Sequence, residues 1–476
     1  MRRKMTDMKK IMMNGCLPDD APLAQRARHA WEGMESFRRR RGECKRYAYG
    51  NSGTAGMEEQ PNTNNLIRQL LKSVIGRYRY LRQGSKVEIV DSSPELERDA
   101  RGLEEFLISG MVVMRLCRQG EGTDRGRWRN VSPERVFFER FDESDGADCN
   151  FVGMLHDIDR GTLLRLFSEG DVERGAAILA AYSDDDASGT MDASPCGRVT
   201  TQYDCADSRG NCRVVEVWRR VSTPMLRLHD TRKGEYGMTP YSPETYRRLL
   251  QINDTRRRLG HQPVNIILDT DERWEESWMT PAGMLLRRRM HEKGSHPFAM
   301  KLYPLIDGEV HSLVEDVLGQ QKLVNRMVGL LDDVLSHSAK GVLLFPADQL
   351  PEGFTWRDMR RIWSDPGGII PYRRTSRNVT PQQVQSGGWS AGAHEMLKMQ
   401  LQLFDEVAGV SASMRGRSGT AGHGADALRQ ETENATVGML DLLAAYAAFT
   451  RRLAEADAAA ARGADAHAPA SRATAL

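Results

Sequence analysis

Residues 317–335, VLGQQKLVNRMVGLLDDVL, constrain the fold more tightly than any other stretch of the chain. Val317, Val324, Met327, Val328, Leu331, Val334 and Leu335 recur every three or four residues, the period of a helix that buries one side. On a helical wheel Gln320 and Gln321 flank that stripe and Asn325 borders it, while Lys322, Arg326 and Asp333 point away. Amides carried into a buried stripe need hydrogen-bond partners. Other parts of the molecule must therefore supply them.

Further segments read as follows. Residues 1–60 are polar and basic, with Arg38 to Arg41 in a row, and suggest a partly ordered arm. Asn62, Thr63 or Asn64 can cap a helix striped by Leu66, Ile67, Leu70, Leu71, Val74 and Tyr78, and a second helix follows Pro94. Short alternating runs between about 112 and 158 predict strands and hairpins. RGTLLRLFSEGDVERGAAILAAYS predicts a helix, weakened by Gly170 and Gly175, and a long polar loop follows at 183–211. Residues 213–290 read as a compact α+β insertion: strands VVEVWRR and MLRLHD, a helix over SPETYRRLLQINDTRRRL, then strands VNIILDT and ESWMT. Two more helices are expected around 395–407 and 425–453, before a low-complexity tail at 456–476.

At 476 residues the chain has room for about two to four domains. Lys plus Arg number 67 against 65 for Asp plus Glu, so net charge alone supports no nucleic-acid partner. The seven cysteines lack paired CxxC spacing and indicate neither a disulfide framework nor a zinc site. No apolar run reaches membrane-spanning length, and the start has no proper h-region, so a soluble protein made inside the cell is expected.

Catalytic signatures are scarce. No GxxxxGK[ST] loop exists to cradle phosphates, and no GxSxG elbow. His291 and His296 stand five apart, where a zinc helix needs four. Asp269 and Asp271 could hold magnesium, the basis of an alternative reading as a metal-dependent intracellular nucleic-acid-processing enzyme. His156 with Asp157 and Asp159 reads as a turn and helix cap. The remaining chemistry is basic: Arg287 to Arg289, Arg373, Arg374 and Arg377, and Arg415 and Arg417 lie in or beside loops.

The order of segments is more specific than any motif. A basic arm, NNLIRQLLKSVIGRYR, NVSPERVFFE, GMLHDIDR, VVEVWRR, HPFAMKLYPLIDGEV with the opening helix, LQLFDEVAGVSASMRG and ETENATVGMLDLLAAYAAF together resemble a tailed-bacteriophage portal protein over about residues 45–455. The resemblance implies a mainly α fold with α+β wing and clip regions and a short crown. It implies a homo-oligomeric ring, twelve-fold in the virion, at the capsid vertex, with no catalytic site, cofactor or metal. Its segments would be the arm (1–60), the first part of the wing (61–155), a stem helix and polar loop (156–212) and the clip (213–290). A second stem segment and wing (291–410), a loop with a crown-like helix (411–455) and the tail would follow. Implied partners are double-stranded DNA, bound nonspecifically, the terminase large subunit, a head-completion or adaptor protein and the major capsid protein, with no membrane. Assembly would take place in the host cytoplasm. Arg373, Arg374, Arg377, Arg415 and Arg417 become channel candidates. Gln320, Gln321 and Asn325 become wing-helix contacts, made with backbone of the same chain or across a subunit seam.

Overall fold

The computed structural model describes residues 23–49, 64–83, 94–117, 127–182, 201–207, 210–230, 234–291, 296–338, 342–364, 370–373, 380–384, 391–409 and 439–458. In chain order these hold α1 (Leu23–Gly33), α2 (Glu35–Tyr49), α3 (Leu66–Gln83), α4 (Pro94–Ser109), β1 (Met111–Cys117), β2 (Arg127–Val131), β3 (Val136–Phe138) and β4 (Phe151–Asp159). Then come α5 (Arg160–Phe167), α6 (Val172–Ala180), β5 (Asn211–Asp230), β6 (Glu235–Pro240), α7 (Pro243–Arg258), β7 (Asn265–Met279), β8 (Leu285–His291) and β9 (Phe298–Leu302). The hairpin β10 (Leu305–Ile306) and β11 (Glu309–Val310) precedes α8 (Leu313–Ser338), β12 (Val342–Leu344), α9 (Trp356–Ser364), β13 (Gln382–Val384) and α10 (Ala391–Val407). Residues 439–458 form α11.

The chain divides into two compact units. One comprises Met1–Tyr49, Leu71–Asp316 and Thr436–Leu476; the other comprises Gly50–Leu70 and Val317–Ala435. In the first unit an antiparallel sheet runs β3-β4-β5-β7-β8, with β6 added to β5, and a smaller sheet runs β2-β1-β9. Its main core gathers Trp31, Phe137, Phe151, Val217 and Met300. A second cluster on the sheet joins Leu163 and Phe167 of α5 and Ile178 of α6 to Val214 and Trp278.

Three expectations change here. The arm is no arm from residue 23 onward: Ala27 and Ala30 of α1 are buried, and the Trp31 ring lies 6.0 Å from Phe137 and 5.9 Å from Tyr203. High charge hid this, because two of the arginines are buried as well. Arg38 lies over Trp31 at 3.6 Å, and Arg41 bonds Glu105 at 2.8 Å and Glu134 at 2.9 Å. Guanidinium groups fill apolar space with their stems and planar faces when carboxylates satisfy the head group.

The stem helix expected within 156–212 is two short helices. Glu169 and Gly170 adopt positive φ of 53° and 84° between them, a conformation that ends a helix and that glycine adopts without strain. Asp159 caps α5 by accepting from the Thr162 amide at 2.9 Å, and Asp171 caps α6 from the Glu173 amide at 2.9 Å.

In the insertion, VVEVWRR and MLRLHD are one strand of 20 residues, and VNIILDT and ESWMT are one of 15. They pair without interruption from Val215↔Met279 to His229↔Asn265. Pro224, which looks like a break in sequence, sits within the ladder opposite Thr270. At ~3.3 Å per residue β5 is roughly 65 Å long.

Candidate functional site

The long ribbon has a root and a free end. β4 pairs with β5 only over residues 211–219, and β8 pairs with β7 only over residues 274–279. Beyond these, β5 is flanked among the described residues by β6 and β7 alone.

At the root, the register sets Glu216 opposite Trp278 and Trp218 opposite Glu276. Each glutamate accepts from the indole two residues ahead on its own strand, at 2.9 Å for Trp218 and 2.6 Å for Trp278. Each also meets a histidine from the next strand outward: His156 Nε2 is 2.7 Å from Glu216, and His291 Nε2 is 2.8 Å from Glu276. His156 packs against Trp278 at 4.9 Å and His291 stacks on Trp218 at 4.8 Å. The result is a local two-fold arrangement about Val217↔Ser277. Arg115 adds 3.1 Å to Glu216, and Arg287 adds 3.2 Å to Glu276. Burial alone would push the Glu216 carboxyl up; the His156 bond, the Arg115 charge and the Trp218 indole outweigh it and hold it down to about 2. Glu276 is shifted downward likewise: its burial is outweighed by Trp278, His291 and Arg287. The repeated Glu-x-Trp in VVEVW and EESWM was the sequence signal for this arrangement. His156 is thus a partner of Glu216 and Asp159 the helix cap, with no catalytic pair between them.

At the free end, α7 starts at the Ser242 cap and is tied down by Asn253, whose side chain bonds both the amide and the carbonyl of Val264 at 2.8 and 2.9 Å. Tyr236 and Met238 of β6 and Ile267 of β7 are exposed, and the register places Met238, Arg227 and Ile267 on one rung. Exposed Arg247, Arg248, Arg257 and Arg258 lie on α7. The free end therefore presents apolar and basic side chains side by side to solvent. Asp269 lies 3.5 Å from Arg227 and Asp271 2.7 Å from Arg273, so each carboxylate of the metal candidate faces an arginine. Among the described residues no group of three or more His, Cys, Asp or Glu is arranged to hold a metal. His296 does not join His291: burial lowers it to about 4, and its ring lies edge-on to Trp274 at 4.9 Å.

In the second unit, Gln321 is fully buried and uses its whole amide. Its oxygen accepts from the Leu66 and Ile67 amides at 2.9 and 3.3 Å, and its nitrogen donates to the Asn64 carbonyl at 2.9 Å and to Asn325 at 2.8 Å. Asn65 completes the cap by accepting from the Arg68 amide at 2.8 Å. Gln321 therefore satisfies the otherwise orphaned first turn of α3 from a helix over 250 residues later. The buried Gln320 oxygen has no hydrogen-bond partner among the described residues. Gln321→Ala is expected to lower stability by about 1–3 kcal/mol and to speed hydrogen exchange at the Leu66 and Ile67 amides. Mass-spectrometric exchange unchanged there would refute the cap.

Arg373 is exposed, with its amide bonded to the Gln349 carbonyl at 3.0 Å and its side chain 2.9 Å from Glu352. Arg374, Arg377, Arg415 and Arg417 lie outside the described residues.

A family model for the phage P22-like portal protein matches residues 88–456. The chain belongs to that family. Membership gives it a phage portal role, in a structural rather than catalytic family whose members assemble as rings associated with a capsid vertex. The architecture is mixed, with helices and antiparallel sheets, consistent with a mixed α/β portal protein. Among the described residues no helix is long and apolar enough to cross a membrane. No curated protein matches the chain at a significant level.

Proposed function

We propose that this chain forms the homo-oligomeric ring, twelve-fold in the virion, through which double-stranded DNA is packaged and later ejected. The family match over residues 88–456 carries this reading. The free end of the β5–β7 ribbon, within 213–290, acts as the clip and docks the terminase large subunit during packaging and a head-completion protein afterwards. The wing, residues before about 155 and from about 297 to 410, meets the major capsid protein, and α11 forms part of a short crown region. Arg373, Arg374, Arg377, Arg415 and Arg417 face the passing duplex. Formal near-neutrality, +2 over the whole chain, supports a conduit: each phosphate neutralised by a fixed cation adds counterion-release free energy, so a strongly basic lumen would grip DNA. Balanced charge lets it slide. The ion pair of Arg373 with Glu352 fits that balance.

Negative-stain microscopy of the purified protein is expected to show closed rings, with DNA retention falling as salt rises. A species that sediments only as a monomer at micromolar concentration would overturn the proposal. So would divalent-metal-dependent DNA cleavage abolished by Asp271→Ala.

A further inference from the structure

The helix α10 has two apolar stripes. One is buried: Phe404 completely, and Gln400 and Ala408 nearly so. The other consists of Met396, Met399, Leu403 and Val407, preceded by Gly392, at spacings of four, three, four and four. Met396, Met399 and Val407 are 46%, 49% and 46% exposed. These positions fall within a sector of about 80° on a helix of 3.6 residues per turn. Single exposed apolar side chains need no explanation, but a continuous stripe on the outer side of an already anchored helix does.

A matching stripe exists on α8. Gly319, Leu323, Arg326 and Leu330 repeat the spacing of Gly392, Met396, Met399 and Leu403. They lie opposite Val317, Gln321 and Val324, which are buried. Leu330 is 54% exposed, and Gly319 and Arg326 are exposed too. Four-and-three spacing is that of helices meeting along a seam, and a glycine at one end of each stripe permits close approach.

Charge selects between possible occupants. Glu395 and Glu406, both exposed, lie along the same edge of the α10 stripe, and neither side chain has an ionic partner among the described residues. Arg326, in the middle of the α8 stripe, has none either. An unpaired cation on one stripe and unpaired carboxylates beside the other are complementary.

We infer that α10 of one copy packs along α8 of the next, Met396, Met399, Leu403 and Val407 against Leu323 and Leu330, with Arg326 drawn toward the acidic edge formed by Glu395 and Glu406. Two different patches of the same chain joined this way make a heterologous contact, the kind that closes into a ring. The inference rests on the ring reading above and adds a specific seam to it.

The test uses the full chain. A variant carrying both Leu330→Cys and Met399→Cys, treated with a short bismaleimide, is expected to give a ladder of covalent multimers on a denaturing gel, and each single variant none. Arg326→Glu should raise the concentration for half-assembly roughly tenfold or more. Adding Glu395→Arg and Glu406→Arg should restore it. Rings that persist with no ladder and no response to Arg326→Glu would overturn the seam while leaving the ring standing. A cross-link confined to one chain would show that α10 folds onto its own α8, and failure of Met399→Cys to react with a small maleimide in the unassembled full chain would show that another segment of the same chain covers it. Either result overturns the seam. A parent protein that forms no rings would overturn the ring reading, and the seam with it.

Discussion

Glu216→Leu is expected to destabilise the protein by about 3–5 kcal/mol, the cost of removing one partner from a buried charged cluster. The carboxylate is completely buried. It receives Arg115 at 3.1 Å and the Trp218 indole at 2.9 Å, and it stands 2.7 Å from His156. Leucine occupies similar volume, so the loss comes from the groups left behind: a guanidinium whose side chain is only 12% exposed and a buried indole N–H. Glu216→Gln retains one acceptor for Trp218 and should lose less. Glu272→Leu is the control, since Glu272 and Arg220 form an ion pair in which both side chains are more than one-third exposed, and exposed pairs contribute about 0–1 kcal/mol. Thermal unfolding followed by tryptophan fluorescence separates these cases. Equal transitions for Glu216→Leu and Glu272→Leu would remove the cluster from the forces holding the ribbon root.

Acid should reveal the same cluster. Glu216 is held at about 2 in the folded chain, below the ~4.3 of an unfolded glutamate. A folded value below the unfolded one means that the stability contributed by this group is complete above about pH 4.3 and disappears as pH falls toward 2. Glu276 shifts in the same direction and adds to that loss. The wild-type chain should therefore lose stability more steeply over that interval than Glu216→Gln, in which one of the two titrating groups is gone.

What the sequence disclosed depended on whether the signal was local. The α8 stripe, the helix after Pro94 and a cap at Asp157 or Asp159 all follow from neighbours within about one turn, and each has its structural counterpart, the cap at Asp159. The identity of Gln321's backbone partners was not legible, because they lie more than 250 residues earlier in the chain. Local propensity also misled where tertiary contacts outvoted it: buried Arg38 and Arg41 made a packed segment look like a solvated arm, and Pro224 made one strand look like two. The glutamate-tryptophan pairing needed a register that alternation alone does not fix. Of the eight arginines expected in or beside loops, Arg287, Arg288 and Arg289 are strand residues of β8, and Arg287 is held by Glu276. A run of charge in sequence carries no information on which members are already paired.

Gly153→Ala should destabilise by about 2–3 kcal/mol, the penalty for overfilling a packed core. Ordinarily the exchange goes the other way, since glycine within a strand is weaker than alanine by about 0.5–1 kcal/mol. The sign reverses here because Gly153 lies in β4 between Phe137 of β3 and Val217 of β5, and an added Cβ would overlap the Phe137 ring. That ring has no room to withdraw: it is completely buried, with Trp31 at 6.0 Å, Tyr203 at 6.4 Å and Phe151 at 6.5 Å around it. Gly237→Ala in β6 is the matched control, because a Cβ there meets nothing within 4 Å and the backbone is not in the left-handed region. It should be neutral or stabilising by up to about 1 kcal/mol. Combining Gly153→Ala with Phe137→Leu should cost less than the sum of the two single changes, since the smaller side chain vacates the space the methyl needs. If Gly153→Ala unfolds at the same temperature as Gly237→Ala, or if the two changes at 153 and 137 simply add, the ring does not rest on the glycine.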